Sequence, residues 1–261
     1  MPHVVITGAS SGIGEALARA YLTRGAHVTL VARRLELLEQ LAAHAAPERV
    51  HLVRADLSDD AQALAWIEGS QQKLGPIDVL INNAGVQIVD HFTATEWPRA
   101  EAMIRLNLHT PLRLTQAVLP AMLARKSGCI VDVASMAALA PTPGMVFYSA
   151  VKAGLAAASE SLRGELRGSG VHVLTVYPGP VSTPMEQRAR AVLAPSAAAR
   201  LTPTGRADVL ARMVVRAVER RRARVIYPRI YALARHFPNL TRVLVDLLTP
   251  PVQNSAGARE S

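Results

Sequence analysis

The apolar positions of this 261-residue chain fall into two alternating patterns. Short β-branched runs, VVIT (4–7), HVTLVA (27–32), RVHLV (49–53), DVLIN (78–82), CIVDVA (129–134), VHVLTV (171–176) and RVIY (224–227), read as strands. Between them, stretches such as EALARAYLTRG and LELLEQLAAHA repeat their apolar residues at helical spacing. This alternation predicts right-handed βαβ units and a parallel sheet of about seven strands, with helices on both faces. The runs agree, because strands buried on both sides need no polar alternation. With no internal repeat or linker, one α/β domain over 1–250 is expected, with a helical extension from about residue 228. There Pro228, Pro238 and Pro250 punctuate two short helical patterns. The polar tail over 251–261 reads as disordered.

The first run leads straight into TGASSGIG (7–14) and then into a helical pattern. Glycines 8, 12 and 14 permit a tight turn and a close backbone approach, so that a helix N-terminus can face a pyrophosphate. Alone the motif could be an ordinary loop; after the first strand of a βαβ unit it predicts dinucleotide binding. The second strand ends eighteen residues beyond Gly14, where an acid would suit the ribose of NAD. The chain has Arg33 and Arg34 there, which suit the extra phosphate of NADP. Arg34 could equally open a solvated helix, so Arg33 is the first choice.

Composition narrows the classes. Half of the residues are apolar, and Cys129 is the sole cysteine, which excludes a disulfide framework and a cysteine-based zinc site and predicts a reducing compartment. The opening segment has neither a basic leader nor a spanning apolar run, so a cytoplasmic protein is expected. A net charge of +9 raises nucleic acid as a partner, but the arginines are scattered without interleaved aromatics and read as a solvated surface. Eight histidines without ligand spacing predict no metal site. Among 29 basic residues there are three lysines, Lys73, Lys126 and Lys152. Lys152 closes YSAVK (148–152), one helical turn after Tyr148. A lysine ammonium so placed favours the phenolate of a tyrosine whose ordinary pKa is ~10.

TGASSGIG, Asp56 in RADLSD, NNAG (82–85), Asn107, Ser135, YSAVK and YPGPVSTP (177–184) together resemble the short-chain dehydrogenase/reductase family, in its branch of roughly 250 residues. The resemblance spans about residues 1–185 and implies a Rossmann-type doubly wound fold. It implies NADP(H), preferred here over NAD(H), held by Gly8, Ser10, Ser11, Gly12, Ile13, Gly14, Arg33 and Arg34. Asp56 and Leu57 would border the adenine, with Asn83, Ala84 and Gly85 along the cofactor and Pro178, Gly179, Val181 and Thr183 near the nicotinamide carboxamide. Asp56 could otherwise be a helix cap, a role open to Ser58. Ser135, Tyr148 and Lys152 would form the reacting group, and Asn107 a water relay to the lysine. Taken alone, Ser135 reads as a loop or cap residue, and Asn107 as a polar residue at a kink in AMIRLNLHTPLRL.

The chemistry so implied is reversible hydride transfer between NADP(H) and a carbonyl/alcohol pair, with Tyr148 as general acid or base. Met136, Met145, Met185, Gln87 and Phe147 would border an apolar substrate, although methionines are also common core fillers. After about residue 205 the chain departs from the family pattern. Asn239 is expected to cap a helix whose Leu240, Val243, Leu244, Leu247 and Leu248 form an apolar stripe. That stripe would pack on its own domain or on another subunit of a homodimer or homotetramer. With Arg220, Arg221, Arg222, Arg224, Arg229 and Arg235 nearby, it would otherwise contact an anionic membrane surface. Two other functions fit parts of the sequence: a nicotinamide-binding redox sensor without turnover, which needs only the cofactor end, and a sugar-nucleotide epimerase, disfavoured by the glycine spacing.

Overall fold

Seven short apolar strands build the sheet: β1 (His3–Thr7), β2 (His27–Ala32), β3 (Val50–Arg54), β4 (Val79–Asn82), β5 (Gly128–Val133), β6 (Val171–Pro178) and β9 (Arg224–Tyr227). A separate two-residue ladder pairs β7 (Val181–Ser182) with β8 (Gly205–Arg206). The computed structural model describes residues 1–192 and 203–249, so the tail expected to be disordered lies outside the described residues. All seven main strands are parallel, in the order β3-β2-β1-β4-β5-β6-β9. Each predicted run became a strand with its ends moved by at most two residues, and 27–32 and 224–227 match without shift.

The pleat sends alternate residues to opposite faces. On β1, Val4 and Ile6 join one core and Val5 the other. α1 (Gly12–Thr23) and α2 (Leu35–Ala42) cover the first face together with the helix Ala207–Glu219. α3 (Ile67–Leu74) covers the second face. There too, α4 (Trp97–Ile104) runs through a π-helical turn at Arg105–His109 into α5 (Thr110–Ala124), beside α6 (Val146–Glu165). The π turn contains Asn107, where the helical pattern was expected to be interrupted. Strand order reverses between β1 and β4, and the crevice at their carboxyl ends is where ligands of such sheets collect.

The extension departs from expectation in two ways. Pro238 occupies the first position of the helix Pro238–Leu248, leaving Phe237 at the cap and Asn239 inside the first turn. Proline suits that position because its ring fixes the helical φ and the missing N–H would be unpaired anyway. Asn239 therefore does not cap the helix. Nor does the stripe pack on its own domain: Leu240, Val243, Leu244 and Leu247 are exposed.

One charged cluster fastens the extension to the sheet. Glu160 on α6 accepts hydrogen bonds from Arg163, Arg224 and the Tyr177 hydroxyl (3.0 Å), with Arg235 at 3.7 Å. Burial alone would raise this carboxyl, but its donors hold it at about 2. A depressed carboxyl stabilises the fold above its ordinary pKa, and that stability is lost as pH falls toward the folded value. Glu160→Gln is expected to cost about 2 kcal/mol at pH 7, or roughly 4–8 °C in Tm. It should also flatten the loss of stability between pH 4.5 and about 2, as read by thermal melts across pH.

Candidate active site

The end of β1 and the end of β4 are stitched together by one hydroxyl. Thr7 Oγ1 accepts the backbone N–H groups of Asn83 and Ala84, each at 3.0 Å, and Asn83 Nδ2 donates to the Thr7 carbonyl at 2.9 Å. The turn that follows Thr7 must then pass close by. Gly8 has φ +68°, and a Cβ there would stand 2.8 Å from the Ala84 Cα; a Cβ on Gly14 would overlap the Gly8 carbonyl. Ser11 caps α1 in extended conformation without a side-chain cap bond. The first-turn amides of α1 therefore face the crevice without that partner, as an anion site requires. Gly12 lies against Thr183, and Ile13 packs on the core behind the turn.

The two arginines divide the work. Arg34 donates to Ser10 Oγ (2.9 Å) and Ser11 Oγ (3.1 Å), which places its guanidinium across the mouth of the turn. Arg33, two-thirds exposed, leans toward Asp56 at 3.9 Å. Asp56 in turn accepts from the Ser58 amide (3.0 Å) and hydroxyl (2.6 Å). Burial pushes its carboxyl up, but the Ser58 bonds and Arg33 outweigh this and the net shift is downward. Asp56 thus caps the local turn and also borders the crevice, and Leu57 beside it is buried. The turn and the amides left without a side-chain cap fit the pyrophosphate of a dinucleotide.

At the reacting end, the π turn presents Asn107 to the segment after β4. Its Oδ1 accepts from the Val86 N–H (2.9 Å) and its Nδ2 donates to the Val86 carbonyl (2.8 Å). Gly85 lies between Asn107 and Lys152: a Cβ there would be 3.1 Å from Asn107 Oδ1 and 3.6 Å from Lys152 Nζ. Lys152 is buried and donates to the Val133 carbonyl at 2.8 Å. Burial draws its pKa down to about 8, against an upward push from Asp132. Tyr148, also buried, has its Lys152 neighbour 6.0 Å from the ring centroid. Its pKa is raised by burial first; a hydrogen bond with Ser135 opposes this, and Glu186 adds to it. Ser135 Oγ also accepts the Ala137 N–H (3.1 Å), so the serine is both a cap and a neighbour of the phenol.

Apolar walls flank the tyrosine. Ile88, Met103 and Ala137 are buried with it, and Val86, Met145 and Phe147 pack against them. Gln87 Nε2 lies 3.1 Å from the Met145 sulfur. Phe147 stacks on Phe92 at 5.0 Å and meets Trp97 edge-on at 6.3 Å, an aromatic rim not foreseen from the sequence. Met136 is buried with Tyr177 and Ala234, and so reads more as core than as wall. Met185 is half-buried on α7 (Pro184–Val192), two residues beyond Thr183. Pro178 and Val181 are buried, and Gly179 lies directly beneath the ring of Tyr231. Arg242 donates to the Pro141 carbonyl at 2.8 Å, so the extension touches both sides of this opening. Neither Tyr231 nor Arg242 stood out in the sequence, since each acts across a long chain separation.

Residues 2–193 match the family model described as short chain dehydrogenase. The chain is 37% identical to the ketoacyl reductase HetN of Nostoc sp. over 226 residues, covering 85% of this chain and 77% of that protein. It superposes on a short-chain dehydrogenase from Sphingobium yanoikuyae in complex with NADPH with a TM-score of 0.80 and 31% identity, over 98% of both chains. A bulky-bulky ketone specific alcohol dehydrogenase from Comamonas testosteroni gives a TM-score of 0.75 and 27% identity, over 92% of this chain and 93% of that one.

The tightness of the turn can be tested directly. Gly14→Ala is expected to weaken nicotinamide dinucleotide binding about tenfold or more by displacing the Gly8 carbonyl, while the melting temperature moves by only a few degrees; titration calorimetry and thermal melts read the two effects separately.

Proposed function

The chain belongs to the short-chain dehydrogenase family of oxidoreductases, and from that premise we propose that it reduces an apolar ketone or aldehyde to an alcohol with NADPH, reversibly. The observation that carries this reading is a buried phenol, Tyr148, beside the Ser135 hydroxyl at the carboxyl edge of the sheet, with its pKa raised above the ordinary range. A tyrosine in that state holds its proton at neutral pH, which suits an acid more than a base.

When bound, a nicotinamide dinucleotide supplies the hydride for the carbonyl carbon, or accepts one in oxidation. The remaining work falls to the chain. Ser135 donates a hydrogen bond to the carbonyl oxygen, where negative charge develops. Tyr148 delivers its proton to that oxygen, giving the alcohol, and is then reprotonated from the Lys152 side. The Lys152 ammonium stabilises the transient phenolate, and Asn107 fixes Val86 and Gly85 so that this path stays in register. Arg33 and Arg34 select the phosphorylated cofactor. Val86, Ile88, Met145 and Phe147 exclude water and favour an apolar substrate. Among the described residues no cluster of His, Cys, Asp or Glu has the makings of a metal site.

The partner reading follows from the exposed stripe. Arg221 donates to the Gly170 carbonyl and Arg222 accepts from His172, so this basic run sits at the strand-entry edge, away from Leu240 and Leu244. On the helix itself the charge is balanced, Arg242 pairing with Asp246 beside the apolar residues, which favours a second copy of the chain over an anionic lipid surface. A homodimer or homotetramer in a cytoplasmic setting is the assembly proposed, and light scattering after size exclusion reads it.

Activity is tested with NADPH and NADH against a panel of aliphatic, aromatic and sterol-like carbonyls. Turnover should prefer NADPH, and Tyr148→Phe should lower it by about 100-fold or more while leaving NADPH affinity within about twofold. The double variant Arg33→Ala, Arg34→Ala should raise the KM for NADPH by about tenfold or more and leave that for NADH nearly unchanged. Tight NADPH binding without turnover across the panel would favour a redox sensor instead.

A further inference from the structure

β5 carries an acid that the mechanism above does not use. Asp132 is buried in a strand otherwise built of apolar residues and faces the same side as Ile130. It lies in register with Asn82 on β4 and Thr175 on β6, so three polar side chains form a row across three central strands. Asn82 Nδ2 donates to Asp132 Oδ1 at 2.8 Å and to Thr115 Oγ1 at 3.1 Å. Ser159 on α6 shares a hydrogen with Thr175 Oγ1 at 2.9 Å and hydrogen-bonds the Asp132 carboxyl. Seven residues before Ser159, on the same face of α6, stands Lys152, which donates to the carbonyl of the residue after Asp132.

We propose that Asp132 is a positioning residue, whose carboxylate beneath the site keeps Lys152 in its ammonium form. The assignment rests on the reductase reading for its catalytic meaning, whereas the charge relation stands by itself. A lysine buried in the sheet's carboxyl edge loses hydration and drifts toward the neutral amine unless an opposite charge lies close. Asp132 is the group acting in that direction on Lys152, and Lys152 acts reciprocally on Asp132. Around the acid, β4 contributes Asn82, β6 Thr175, α5 Thr115 and α6 Ser159 and Lys152, so the lysine is the charged side chain facing it. Burial is the largest influence on the Asp132 carboxyl and raises it overall; the Asn82 and Ser159 bonds and the Lys152 ammonium pull toward the ionised form. A buried row that served packing alone would need no net charge; an asparagine at 132 would satisfy Asn82 equally well.

The scarcity of lysine gives a direct readout. With lysine carrying 13C at Cε, the protein has three signals to follow through pH, those of Lys73, Lys126 and Lys152. Lys73→Arg and Lys126→Arg assign them. In the wild type, Lys152 should titrate with a midpoint of about 8, and a midpoint near or below 6 would overturn the proposal without any variant. In Asp132→Asn the midpoint should fall by about one pH unit or more. Thr175→Val, which removes a member of the row but keeps the charge, should move it far less. An unchanged midpoint in Asp132→Asn, or an equal shift in Thr175→Val, would overturn the proposal. The alkaline limb of carbonyl reduction should follow the Lys152 midpoint to lower pH. If the midpoint moves and that limb does not, the charge relation stands and the catalytic role is overturned, independently of whether the chain prefers NADPH.

Discussion

The rest of this structure hangs on the stitch between β1 and β4, where Thr7 Oγ1 takes two backbone N–H groups from the neighbouring strand's exit. A parallel sheet offers no partner to amides that leave a strand end, and an unpaired buried N–H is costly. Meeting both with one hydroxyl brings Asn83 and Ala84 against the glycine turn. Side chains are excluded where Gly8 and Gly14 pass, so the helix N-terminus comes near enough to bind an anion. The same segment continues through Gly85 to Asn107 and Lys152. Cofactor end and reacting end are therefore two stretches of one short piece of backbone.

Burial does the electrostatic work at the far end of that piece. It raises Tyr148 and lowers Lys152, so each group leans toward its neutral form. In the proposed reduction the lowered lysine would be the better proton source, whereas the raised phenol would give up its proton less readily than a free one. The cost is that neighbouring polar atoms must be satisfied, and Val133, Ser135 and Asn107 do so through backbone and side-chain hydrogen bonds.

Much of this was legible along the chain because it is local. Strand runs announce themselves by β-branched composition, and the glycine turn and Tyr148–Lys152 spacing are each contained within a few residues. Asn107 was legible as a break in a helical pattern, but its grip on Val86 is a tertiary contact. Arg34 read as ambiguous from sequence because reaching Ser10 and Ser11 depends on how the second strand ends. The lysine's turn toward Val133, the aromatic rim of Phe92 and Trp97 and the fastening of Tyr231 over Gly179 required the fold. Asp132 carried a signal that was present yet unread: an acid inside an apolar central strand is expensive and seldom lacks a purpose. Asn239 misled because capping preference was weighed without the proline beside it.

Gly179 has a meaning beyond its own turn. Its missing side chain is the space into which the ring of Tyr231 fits, and Tyr231 lies beyond residues 2–193, which match the family model. The end of β6 and the extension thus meet at a single socket. A side chain at 179 would push that ring out of its socket and loosen the extension from the end of β6.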